Sequence, residues 1–186
     1  MTEVATTTTT TTTQVKPTDA VRTSPSEEQP AHRNHYAQFK LYLRRNLRYV
    51  QQLVQNSDYH LGDDTRKQAL HTLSYALGEP DLWPQIRDFL FALAPKMELA
   101  GHREDWLPYL ERGREESGRM DDPAMAAECE LQIGLTYRLS SDFTAARDHL
   151  LTSMALAGTA TEWRTKARAL NELAWLEQLQ EEFVAA

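Results

Sequence analysis

One cysteine, Cys129, stands in a chain of 186 residues. That excludes an intramolecular disulfide and any cysteine-built metal cluster, and it makes a reducing, cytoplasmic setting the expectation. No apolar run approaches the roughly 20 residues that cross a bilayer. The first thirteen residues have neither the basic start nor the apolar centre of a secretory signal. There is no GxxxxGK(S/T) phosphate loop and no HExxH pair, so the common sequence signatures of nucleotide hydrolysis and zinc catalysis are missing. Basic charge is also short, with 20 Lys and Arg against 27 Asp and Glu. The imbalance is uneven: residues 1–30 carry a net −2, residues 31–78 a net +4 and residues 79–186 a net −9. An acidic C-terminal region disfavours polyanions and favours basic or neutral protein partners. Nucleic acid is therefore not an expected ligand.

What is present is mostly helical pattern. Residues 1–34, with an unbroken Thr6 to Thr13 tract and Pro17, Pro25 and Pro30, hold too few apolar groups to offset the entropy of ordering, and a disordered tail is expected. Residues 35–80 read as a helical hairpin. Its first helix starts near His35 behind an Asn34 cap, with Tyr36, Phe39, Leu43, Leu47, Val50 and Val54 as the apolar stripe. Lys40, Arg44, Arg45 and Arg48, with Tyr42 and Tyr49 between them, form a basic outer face suited to a phosphate backbone or an acidic protein surface. The second helix, Asp64 to Leu77, ends at Gly78.

Beyond residue 81 the pattern becomes helical pairs. Pro95 predicts a kink or break near Leu93 in a helix from Leu82 to Ala100. Glu104 to Ser117 follows and ends at Gly118. Asp122-Pro123 and Asp142 read as helix starts, Gly158 as a stop, and Thr161 to Leu179 as the last long helix. Ile133-Gly134, Tyr137, Phe143, Ala146 and Leu150 recur forty residues later as Leu173-Ala174, Glu177, Phe183 and Ala186. Leu93-Ala94, Met97, Trp106, Leu110 and Gly113 repeat the pattern loosely forty residues earlier.

This arrangement resembles the tetratricopeptide repeat: a large residue with Leu-Gly and Tyr on one helix, then Ala and a large apolar residue on the next. The resemblance covers residues 81–186, the last unit being incomplete, and is similar to the longer-period arrays of bacterial signalling ATPases and transcription regulators. The forty-residue spacing exceeds the usual 34 of the family, and the joints at Gly118 to Pro123 and Gly158 to Glu162 are the expected place for the excess. The resemblance implies an all-α αα-hairpin solenoid and a concave groove that takes a peptide or partner helix. Carried over position by position, the groove comprises Asp88, Phe91, Glu128, Leu131, Leu135, Arg138, Arg168, Asn171 and Trp175. The function so implied is a non-catalytic protein-interaction scaffold without cofactor. The alternative is the sensor part of a larger signalling or transcription-regulating protein. Leu170, Leu173, Leu176 and Leu179 call for a further helix, so the chain is expected to be a fragment or to self-associate through that open end.

The residues offer little chemistry of their own. His60, Asp63, Asp64 and His71 are the one local cluster, but they straddle a loop and a helix start without ligand spacing, and the two aspartates are explained as helix caps. Cys129 has no partner histidine, and Glu128 and Glu130 beside it are expected to raise its pKa.

Overall fold

The structure, a computed structural model, describes residues 28–185 apart from Tyr59, and side chains for residues 34–179 with the same exception. The expected tail therefore lies largely outside the described residues, as does Ala186. The chain divides into two units between residues 36 and 37. Of the first, the described part is the opening of α1 (Glu28–Asn56). The second holds everything considered below. Its elements are the rest of α1, α2 (Asp63–Ala76), a 3-10 turn (Pro80–Leu82), α3 (Trp83–Ala100), α4 (Arg103–Arg119), α5 (Pro123–Leu139), α6 (Phe143–Thr159) and α7 (Trp163–Ala185). No strand occurs among the described residues.

Two apolar clusters hold these helices. The larger joins Leu43, Leu47, Val50 and Val54 of α1 to Leu70 and Leu73 of α2, to Ile86, Phe89 and Leu93 of α3, to Trp106 and Leu110 of α4, and to Met125, Cys129 and Ile133 of α5. The smaller joins Leu131 and Leu135 of α5 to Ala146 and Leu150 of α6 and to Ala169, Leu173 and Leu176 of α7. Helix α5 belongs to both. Eleven consecutive residues, Met125 to Leu135, are buried in it, the sign of a helix enclosed on nearly every side.

From α3 onward the turns fall at a fixed interval of twenty residues. Gly101, Asp121, Ser141 and Thr161 all have positive φ, at 74°, 52°, 63° and 59°. In three of these turns the next backbone N–H closes the preceding helix in the same way: Asp122 donates to Ser117 O at 2.8 Å, Asp142 to Tyr137 O at 3.0 Å and Glu162 to Ala157 O at 2.9 Å. Two half-units make the forty-residue repeat. The longer joints expected at 118–123 and 158–162 are not found: each is a three-residue turn, and α4, α5 and α6 are helices of 17 residues.

Other boundaries shift for identifiable reasons. Helix α1 begins at Glu28 rather than behind Asn34, because Pro30 falls in the first turn, where a missing N–H costs nothing. Gly118 and Gly158 lie inside α4 and α6; the left-handed turn residue is set by register, three positions later. Asp63 and Asp64 sit in the first turn of α2 behind Gly62, which makes no side-chain cap bond, and they favour that end through the helix dipole. Pro95 does not interrupt α3. Both Pro95 and Phe91, whose carbonyl loses its partner, border an open cavity where water can take the freed oxygen. Helix α7 runs on to Ala185, so Phe183 lies on the same helix and not on a second one.

Helices α5 and α6 approach closely through small residues. A Cβ built on Gly134 would stand 2.8 Å from Leu150 Cγ and 3.2 Å from the Ala146 carbonyl oxygen. Ser153 Oγ donates to Ala127 O at 2.7 Å across the same seam.

Candidate functional site

Helix α5 touches both α3 and α7, and side chains of all three helices meet around one opening. A cavity of about 520 Å³ opens there, lined by Arg87, Phe91 and Pro95 from α3, Ala124, Glu128 and Gln132 from α5, and Thr165 and Arg168 from α7, with Glu162 and Arg164 at its edge.

Glu128 is the centre of its floor. The side chain is buried, yet it accepts from Arg168 Nη1 at 2.9 Å, Gln132 Nε2 at 3.0 Å and Thr165 Oγ1 at 3.2 Å. Three donors so placed leave no lone pair of the buried carboxylate facing apolar surroundings. A second α5-to-α7 crossing brings Arg138 Nε to 3.0 Å from Glu172 Oε2, although neither atom is aligned for a hydrogen bond. Arginines also stand over two exposed aromatic rings: Arg87 lies 5.7 Å from the Phe91 centroid and Arg138 5.9 Å from that of Trp175. At the α3 end, Asp122 accepts from Met125 N at 3.0 Å and from Trp83 Nε1 at 3.1 Å, and Arg87 lies 3.6 Å from it.

Of the residues expected to line the groove, Phe91, Glu128 and Arg168 meet at the cavity. Asn171 and Trp175 are exposed on α7, and Asp88 is exposed on α3 outside the cavity lining. Arg138 is half-buried in its pairing with Glu172. Leu131 and Leu135 are buried in the smaller core cluster and hold neighbouring helices instead of presenting a surface. Gln132, Thr165, Arg87 and Glu172 were not anticipated. The usable signal was the opposite charge of Glu128 and Arg168 at the repeat offset itself, with Gln132 one helical turn beyond Glu128.

The remaining polar groups do structural work. Glu130 points away from Glu128, as a two-residue step on a helix requires. It lies 3.4 Å from Arg114 Nη1 and 2.6 Å from His149 Nδ1, and His149 stacks on Tyr137 at 5.3 Å. Asp63 lies 3.4 Å from Arg66, and His71 packs edge-on against Tyr75 at 5.0 Å. Burial first, and then the neighbouring Glu128 and Glu130, push the Cys129 thiol far above its ordinary value. A buried thiol held neutral is inert. No helix among the described residues is long and apolar enough to cross a membrane. No protein-family model, curated protein or solved structure matches the chain.

Proposed function

We propose that the chain is a tetratricopeptide-like αα-hairpin solenoid acting as a non-catalytic protein-interaction scaffold, with a peptide or partner helix held along the concave side of α3, α5 and α7. The observation that carries this reading is the cavity bordered by Phe91 and Arg168, with Trp175 exposed two turns further along α7. The common twenty-residue period and the packing of α5 on both α3 and α7 support the solenoid. Ionic side chains of the cavity are largely engaged with one another, so recognition falls to the aromatic rings, to Arg164 of the lining and to exposed Asn171. Exposed aromatic anchors beside polar groups are what peptide-binding surfaces use.

The test is selection of peptides from a random library on the purified chain, followed by calorimetric titration of the best binder. Phe91→Ala and Trp175→Ala are expected to weaken it at least about tenfold each, with Leu151→Ala, on the surface of α6, as the control. A binder whose affinity ignores both groove substitutions would remove the assignment. Charge reversal at Arg138 or Arg168 is a poor probe, because each supports the fold through a carboxylate on the neighbouring repeat.

A further inference from the structure

A second surface lies apart from the groove, between α1 and α2. Phe39, Tyr42, Leu43 and Asn46 of α1 face His71, Thr72 and Tyr75 of α2 across an open slot of about 270 Å³. Its floor is fixed by the Asn46 Nδ2 bond to Thr72 Oγ1 at 2.9 Å and by edge-on contact of the Phe39 and Tyr75 rings at 6.4 Å. Tyr42 is 69% and Tyr75 53% exposed. Tyrosines left this open lose apolar burial that an occupant would recover.

Charge selects the occupant. Arg45 follows Tyr42 by three positions and Lys67 precedes His71 by four, so a cation belongs to each wall within one helical turn of the slot. Arg48 extends the α1 side. No described carboxylate pairs with Arg45, Arg48 or Lys67, whereas Asp63 is taken by Arg66 and Asp81 by Lys40. Residues 37–78 carry six basic and three acidic side chains in a chain that is otherwise acidic. We infer that this slot docks an acidic amphipathic protein segment, which places a large apolar side chain between Tyr42 and Tyr75 and carboxylates one turn away against Arg45 and Lys67. Nucleic acid fits less well, because the slot is lined mostly by apolar carbon and a phosphate backbone is held by charge.

The experiment titrates the full chain with rhodamine-labelled helical peptides of about 14 residues that share one Leu/Trp face and carry Glu, Gln or Lys elsewhere. The Glu peptide is expected to bind at least about tenfold more tightly than the other two, and to weaken several-fold between about 50 and 300 mM salt. Arg45→Glu with Lys67→Glu is expected to invert the order of the Glu and Lys peptides. Tyr42→Ser is expected to weaken the Glu peptide about tenfold, with helical circular dichroism as the check that the exposed substitution leaves the fold intact. Trp175→Ala, in the groove, is expected to change nothing, which separates this site from the proposed groove. Equal affinity for Glu and Lys peptides overturns the inference. So does displacement of the Glu peptide by a single-stranded oligonucleotide, or loss of peptide binding as the chain dimerises with rising concentration.

Discussion

Adding one methyl group at Gly134 measures how tightly α5 and α6 are seated. In a helix interior, alanine in place of glycine stabilises by about 1 kcal/mol through the backbone alone. At Gly134 the new carbon would stand 2.8 and 3.0 Å from two carbons of Leu150 and 3.2 Å from the Ala146 carbonyl oxygen. The leucine tip can turn aside, but the carbonyl is part of α6 and yields only if that helix moves. Overpacking of this kind costs about 1–3 kcal/mol, so Gly134→Ala is expected to destabilise by up to about 2 kcal/mol after the propensity gain of about 1 kcal/mol. At Gly118 a Cβ meets nothing within 4 Å, and alanine there is expected to stabilise by up to about 1 kcal/mol, less because the residue is next to last in its helix. Gly113 falls between, since its two close neighbours at 3.2 Å, Cys129 Sγ and Leu90 Cδ1, are both side-chain atoms. Thermal unfolding followed at the helical dichroism band should rank the variants Gly118→Ala, Gly113→Ala, Gly134→Ala from most to least stable. The extremes should differ by roughly 4–8 °C, at 2–4 °C per kcal/mol for a chain of this size. A Gly134→Ala protein as stable as Gly118→Ala would refute the close approach of the two helices.

The other predictions concern buried acids. Removing Arg168 leaves Glu128 with only Gln132 and Thr165, and Arg168→Leu is expected to cost about 1–3 kcal/mol, a figure reduced because the arginine is 40% exposed. Urea unfolding of the Arg168→Leu, Glu128→Gln and double variants checks it: additive effects would mean that the pair is not coupled. The neutral Cys129 thiol makes stability depend on alkaline pH. Above the ordinary thiol value of 9.0 the unfolded chain releases a proton that the folded chain keeps, so stability falls with rising pH by at most about 1.4 kcal/mol per unit. Below that value the thiol contributes no slope. Cys129→Ala should flatten that part of the curve, and identical alkaline slopes for the two proteins would contradict the assignment.

The sequence revealed helix starts better than helix ends. Asp122 and Asp142 were readable as caps because a side chain accepting from the third residue onward is local chemistry, and they accept from Met125 and Ala145 at 3.0 and 3.1 Å. Gly118 and Gly158 misled because the residues that turn left-handed are Asp121 and Thr161, held there by the register of neighbouring helices rather than by their own preference. The same distinction applies to the groove. Phe91 and Trp175 are exposed as their helical positions suggest, but α5 is buried almost all round, with Glu128, Glu130 and Gln132 among its buried residues, so periodicity could not tell that Leu131 and Leu135 face a core. Nor could spacing within one helix reveal Gln132 and Thr165 on a shared carboxylate, which depends on how α7 is placed beside α5.

The evenly spaced turns bear on how such a chain can lengthen. Because Asp121 and Thr161 occupy equivalent points of equivalent turns, a second copy of residues 122–161 could be spliced in with each junction joining a left-handed residue to a helix start it already suits. Growth by forty residues then preserves every cap and seam. A single inserted residue within one of these helices would rotate all the side chains after it by about 100° relative to those before it. Length in this architecture is gained cheaply only in whole units.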